Sequence, residues 1–264
     1  MPTAMAARIV LPDGRTPATI AEAAHTLAPS KRYWAVVGNG VNRIAAAEVR
    51  IKLSELCYKS IASDSTEDKK HIDLSSEPLI VVCAAGLEGS TADDVAKEVA
   101  IYRAHKASPV VIATDGQSRY AAALHVLPVP ATHPALAFVL SAMAGHVFGY
   151  EAALAIDGLA LPLRQARAAV EAVTATAEGQ DGEALMRRLA GEIEPLARSY
   201  FDGLRVGAFD GQLGASTAVR LGFLFRYLMG VVPLDAYGLD GGKVATPAVL
   251  IDDLAAALTV AIEE

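Results

Sequence analysis

Glu48, Lys52 and Glu55 stand at i, i+4 and i+7, shortly after a strand-like run from Tyr33 to Val37 and a Gly38-Asn39-Gly40 turn; His71 follows sixteen residues beyond Glu55. At about 100° per residue the three charges share one helical face. Two carboxylates, an amine and an imidazole are groups that move protons on a sugar, provided their surroundings bring each into range for proton transfer near neutral pH. The same spacing also describes a solvated charge ladder, Glu48 with Lys52 and Lys52 with Glu55, the commonest helix-stabilising surface pattern. Spacing leaves both readings open.

The elements that would position these residues alternate along the chain. Tyr33 to Val37, Leu79 to Ala84, Pro109 to Thr114 and Leu124 to Val129 read as apolar strands, with a weaker strand near Ser60 to Ala62. Between and after them, Asn42 to Lys59, Thr91 to Lys106 and His133 to Ala155 have helical patterns. Short continuous apolar strands separated by helices imply a mainly parallel sheet covered on both faces, a three-layer αβα arrangement. Residues 1–31 hold Pro2, Pro12, Pro17 and Pro29 around a short helical pattern, Thr19 to Leu27, and read as a linker. Residues 32–157 form the α/β domain.

After Gly158 the character changes, and residues 158–264 read as an all-helical extension. Leu161 to Thr176, Gly182 to Leu204, Gly214 to Gly230 and Pro247 to Glu263 are helix-length patterns, with Gly238-Leu239-Asp240-Gly241-Gly242 as a turn. A second apolar core is expected on Leu221, Phe223, Leu224, Phe225, Tyr227 and Leu228.

Composition narrows the function classes. The 264 residues are 53% hydrophobic, enough for a sizeable core, and carry a net charge of -7. That balance, without a long Lys/Arg run, argues against nucleic-acid binding. Cys57 and Cys83 sit apart among apolar neighbours and suit buried thiols in a reducing compartment. The N-terminus shows no basic-then-apolar signal, and Val219 to Pro233 is too short and too charged to span a bilayer, so a cytoplasmic protein without a membrane partner is expected. His25, His105, His125, His133 and His146 lack partners at metal-ligand spacing, so no metal is expected, and His133 and His146 read as core or cap residues. Gly38-Asn39-Gly40 lacks the later glycine of a dinucleotide fingerprint, and Gly241-Gly242-Lys243 lacks the rest of a P-loop, so no cofactor is expected.

A second candidate feature is Gly86-Leu87-Glu88-Gly89-Ser90-Thr91-Ala92-Asp93, which leaves a strand and opens a helix. Backbone N–H groups and the helix dipole favour an anion at such a place. The alternative is a capping box, Ser90 capping with Asp93 three residues on.

The run Gly38-Asn39-Gly40, then Ala47-Glu48-Val49-Arg50-Ile51-Lys52-Leu53-Ser54-Glu55-Leu56-Cys57-Tyr58, then His71, resembles the second sugar isomerase (SIS) domain of the glutamine:fructose-6-phosphate aminotransferases. The resemblance covers roughly residues 33 to 155. It extends to Gly89, Thr91, Ala92 and Asp93 of the family's phosphate loop, with Glu88 standing where the family has a serine.

The resemblance implies an SIS-type three-layer fold and a hexose phosphate substrate. It implies that Glu55 shuttles a proton between the first two carbons of the sugar, that His71 assists ring opening, that Lys52 places or relays protons, and that Glu48 orients Lys52. Gly38, Asn39, Gly40, Gly89, Ser90 and Thr91 would then hold the substrate. The family's partners are a homodimer mate or another SIS domain and a glutaminase domain, which would lie elsewhere in a longer protein because residue 2 here is Pro2 and not the nucleophilic cysteine. Arg167 stands nearest to the place of the family's Schiff-base lysine, and arginine stays protonated and cannot form that imine. A non-catalytic phosphosugar-binding or dimerisation module is the other reading.

Overall fold

In the computed structural model, which describes residues 16–69, 74–177, 179 and 181–264, the apolar runs become five strands: β1 (Trp34–Gly38), β2 (Ile61–Asp64), β3 (Leu79–Cys83), β4 (Ser108–Thr114) and β5 (His125–Val129). Every neighbouring pair is parallel, in the order β2-β1-β3-β4-β5. The weak strand signal near Ser60 is the edge strand β2. The two faces follow the period-2 rule: Trp34, Val36, Leu79, Val81, Val110 and Ile112 join one core, and Val37, Ile80, Val82, Val111 and Ala113 join the other.

Three helices cover the first face: α1 (Thr16–Leu27), α2 (Asn42–Cys57) and the first part of α5 (Ala137–Thr174). On the second face lie the single turn α3 (Thr66–Lys69) and α4 (Gly89–Ala104), the latter burying Val95, Val99 and Tyr102. The expectation of a linker over residues 1–31 is corrected where the chain is described. Ile20, Ala23, Ala24 and Leu27 of α1 are buried in the sheet core, because their i, i+3, i+4, i+7 spacing gives a full apolar stripe. Residues 1–15 lie outside the described residues.

Helices α2 and α5 pack through small residues. A Cβ on Gly145 would stand 2.3 Å from a methyl of Val49, and one on Gly149 would stand 3.0 Å from Leu53. The helix α5 is long and apolar enough to cross a membrane by length and composition, but Ala144, Phe148 and Ala152 are spent on the sheet core. Cys57 and Cys83 are free and buried, and burial pushes their thiols up to about 11 and about 12.

The chain divides into two compact units after Ile156. From Asp157 on, every described element is helical: the rest of α5, then α6 (Gly182–Arg205), α7 (Ala215–Leu228), α8 (Leu234–Gly241) and α9 (Pro247–Glu263). Their core brings Leu189, Ile193, Ala197 and Tyr200 of α6 against Leu221, Leu224 and Phe225 of α7 and Leu250, Leu254 and Leu258 of α9. Tyr200 meets Phe209 in a tilted contact at 5.3 Å and Phe225 edge to face at 5.4 Å between ring centroids.

Three expectations are corrected in this unit. The patterns His133 to Ala155 and Leu161 to Thr176, read as two helices, are one: α5 continues through Gly158 and Pro162 to Thr174. The glycine-rich stretch read as a turn is mostly the helix α8, which ends only at Gly242 in the left-handed region with φ of 62°. Phe223, expected in the core, is 48% exposed.

Candidate functional site

The strand order reverses between β1 and β3, since β1 is followed to one side by β2 and β3 to the other by β4. In open α/β sheets a crevice opens at such a point beyond the carboxyl ends of the strands, and ligands bind there. Two turns flank it here: Gly38 to Asn42 after β1, and Ala84 to Thr91 after β3.

The first turn is tight because Gly38 lacks a side chain; a Cβ there would stand 2.4 Å from the Asn42 carbonyl oxygen. Gly40 follows with φ of +56°, and α2 begins at once. Asn42 is fully buried and ties three elements together. Its amide donates to the Ala85 carbonyl at 2.8 Å, and its oxygen accepts from the Ser141 hydroxyl of α5 at 2.8 Å. The Asn39 side chain is spent on α3: its amide nitrogen donates to the Thr66 hydroxyl at 2.7 Å, and its oxygen accepts from the Thr66 N–H at 3.1 Å. Tyr102 of α4 donates to the Thr66 carbonyl, fixing the same turn from the other side.

The second turn is held by Thr114 at the end of β4, whose hydroxyl accepts from the Gly86 N–H at 2.9 Å. Gly86 has φ of +71°, and a Cβ there would stand 2.5 Å from that of Ala137. Helix α4 starts at Gly89 with Glu88 as its N-cap and no side-chain cap, which corrects the reading of Ser90 and Asp93 as a capping box. Asp93 instead pairs with Arg119 at 2.8 Å, and Arg119 also donates to the Gly89 carbonyl at 3.1 Å. Gly89, Ser90 and Thr91 are exposed, and a helix leaves the N–H groups of its first turn without intrahelical partners. These open N–H groups favour a small anion, while the Arg119 charge is met by Asp93 and the exposed Glu88 carboxylate at the N-cap opposes one.

The charged residues of α2 lie further along. At about 1.5 Å per residue, Glu48 is roughly 9 Å, Lys52 roughly 15 Å and Glu55 roughly 20 Å down the helix from Asn42. Lys52 donates to Glu55 at 2.8 Å, with the two side chains 42% and 58% exposed. That hydrogen bond, then the Glu55 charge, raises the Lys52 amine above its ordinary value. Glu48 contacts a different group, Nε2 of His146 on α5, at 3.3 Å. His71 lies outside the described residues.

The exposed apolar residues Ile44 and Ile51 share the outer stripe of α2 with Glu48 and Glu55, and Val139 and Met143 are exposed on α5. Sequence reasoning missed Asn42, Thr114, Arg119 and the contact to His146. Asn42 had a usable signal, a polar residue on the stripe continued by Ala45, Ala46 and Val49, which had to be buried and therefore bonded. Arg119 had none. Among the described residues no three His, Cys, Asp or Glu side chains gather as a metal site.

Neither a protein-family model nor a curated protein matches this sequence. Solved structures do. The C-terminal domain of glucosamine-fructose-6-phosphate aminotransferase from Francisella tularensis is similar at 17% identity and a TM-score of 0.46, over 52% of this chain and 39% of that one. The chain is similar in fold to sugar isomerase domains. Tagatose-6-phosphate ketose/aldose isomerase from Escherichia coli is similar at 24% identity and a TM-score of 0.43, over 51% of this chain and 38% of that one. The Vibrio vulnificus NanR protein complexed with ManNAc-6P is similar at 10% identity and a TM-score of 0.38, over 70% of this chain and 60% of that one. The chain thus spans well under two thirds of the length of the first two.

Proposed function

We propose that the first unit binds a hexose phosphate in the crevice between Gly38–Asn42 and Gly86–Thr91, and that the chain is the isomerase-domain portion of a glutamine-dependent fructose-6-phosphate aminotransferase. The observation that most supports this reading is the pair of glycine-bearing turns on either side of the β1/β3 reversal, tied together by Asn42. The phosphate lies on the open N–H groups of Gly89, Ser90 and Thr91. Gly38, Asn39 and Gly40 form the opposite wall against the sugar.

In the chemistry proposed, Glu55 takes a proton from the first carbon of the opened ketose and returns it to the second. His71 assists ring opening, Lys52 relays protons, and Glu48, whose charge acts on Lys52, orients it. Glu55 lies too far along α2 to reach a sugar in this crevice, so it serves a sugar held by a second copy or another SIS domain. The exposed apolar residues on the outer faces of α2 and α5 support such a partner. A glutaminase domain elsewhere in the full-length protein supplies the ammonia.

A second reading, a phosphosugar-binding or dimerisation module without turnover, is supported by Arg167. It bonds Thr259 at 3.2 Å and Glu171 at 2.8 Å, and as an arginine it forms no imine.

The test is an isomerase assay on fructose 6-phosphate with the wild type and Glu55→Gln. The aminotransferase reading expects turnover that Glu55→Gln abolishes while sugar binding stays nearly intact. Equal loss of binding would make Glu55 a ligand contact and not the base, and absence of turnover with intact binding would favour the module. Conversion of fructose 6-phosphate and glutamine to glucosamine 6-phosphate by this chain alone would contradict the partial-enzyme reading.

A further inference from the structure

The helical unit contains a cleft of about 490 Å³ that plays no part in the sugar chemistry, lined by residues of α7, α8 and α9 and of the turn after α8. The volume falls within the range of roughly 300 to 1,000 Å³ typical of small-molecule sites. Its charges are sorted into two poles. At one, Asp253 is mostly buried and both its oxygens are engaged: it accepts from Tyr237 and from Lys243, the latter at 2.5 Å, with the Arg220 guanidinium 3.6 Å away. Burial pushes the Asp253 carboxyl up, but the hydrogen bonds from Lys243 and Tyr237 and the two nearby positive charges outweigh it and hold the group below its ordinary value. Two cations around one carboxylate leave this pole net positive. Lys243 and Arg220 are about half exposed and keep further N–H donors for a ligand.

At the other pole the exposed Asp240 accepts from Tyr227 through one of its oxygens. Between the poles, Tyr227 and Tyr237 meet edge to face at 5.4 Å, and the lip carries the half-exposed Phe223 beside buried Leu224. The cleft is therefore neutral in sum, dipolar in layout, and apolar along one wall. A simple anion would find only the first pole and a simple cation only the second.

We propose that this cleft binds a zwitterionic α-amino acid with an aromatic or long apolar side chain. The carboxylate lies on Arg220 and Lys243, the ammonium on Asp240, and the side chain on Phe223 and Leu224. Matching both poles at once makes the dipolar ligand the best fit, because each charged group that enters the cleft meets a charge of opposite sign.

The experiment titrates the full chain by calorimetry with three probes: L-phenylalanine, phenethylamine, which lacks the carboxylate, and 3-phenylpropionate, which lacks the ammonium. Saturable binding of L-phenylalanine at least tenfold tighter than either single-charge probe is expected. Asp240→Asn should weaken L-phenylalanine at least tenfold and leave 3-phenylpropionate unchanged, whereas Arg220→Met should weaken both. Both side chains are exposed enough for the variants to keep the fold, which circular dichroism checks. No saturable binding of L-phenylalanine, equal binding of all three probes, or unchanged binding in both variants would overturn the assignment.

Discussion

A carboxylate oxygen of Glu48 lies 3.3 Å from Nε2 of His146, so the first charge of the α2 series is met by a helix that follows the last strand and not by its i+4 neighbour Lys52. Lys52 turns instead to Glu55. The three charges are thus a pair and a cross-helix contact, all on the outer face of α2.

Because the Lys52–Glu55 pair is exposed, it should add little to the fold. Glu55→Gln and Lys52→Met are each expected to leave the urea midpoint of unfolding unchanged within error. A clear loss of stability in either would mean that the pair is a structural contact and would weaken its assignment to chemistry.

Two glycines of α5 should respond in opposite directions to the same change. Gly145→Ala drives a methyl into Val49, 2.3 Å away, and overpacking of this kind costs about 1 to 3 kcal/mol. Gly158→Ala meets nothing within 4 Å inside the same helix and should stabilise by about 0.5 to 1 kcal/mol. Chemical denaturation of both variants checks the packing of α2 on α5 and the continuity of α5; equal effects would contradict it.

Asn42→Leu removes a buried amide that satisfies both the Ala85 carbonyl and the Ser141 hydroxyl. Leaving such groups unpaired costs about 1 to 3 kcal/mol each. The loss should be accompanied by faster hydrogen exchange in the Ala84 to Thr91 turn, a readout that simple core damage elsewhere would not produce.

Lys59 provides the pH signature. Burial lowers its amine to about 8 from its ordinary value of 10.5, with the Trp34 ring 5.2 Å away. Between these two values the unfolded chain binds more protons at this site than the folded one, so stability contributed here rises with pH across that window. Below about 8 the cost of the buried charge is fully present. The variant Lys59→Met should therefore lose ground to the wild type as pH rises from about 8 to 10.5, and a constant difference over that range would contradict the burial of this amine.

Much of this architecture was legible because local rules and tertiary packing agree. The strands were continuous apolar runs, and the helices α2, α4, α6, α7 and α9 had the 3.6-residue period. Failures came where a distant contact decided the outcome. The α1 stripe looked like part of a proline-rich linker until the sheet buried it. The stretch around Gly158 read as a gap between two helices, yet α5 passes through it. The glycines of α8 hid a short helix that Tyr237, packed on Tyr227, anchors in the core. At the candidate site the turns announced themselves through glycine, whereas their fasteners, Asn42, Thr114 and Arg119, bond partners far along the chain that no spacing reveals.

The central claim is a sugar phosphate on the two turns of the β1/β3 reversal, and amide chemical-shift mapping with fructose 6-phosphate tests it most directly, because even weak binding moves resonances. The account predicts saturable shifts at Gly38 to Asn42 and at Gly89 to Thr91, with fructose alone producing none. Shifts absent at saturating ligand, or confined to the helical unit, would contradict it.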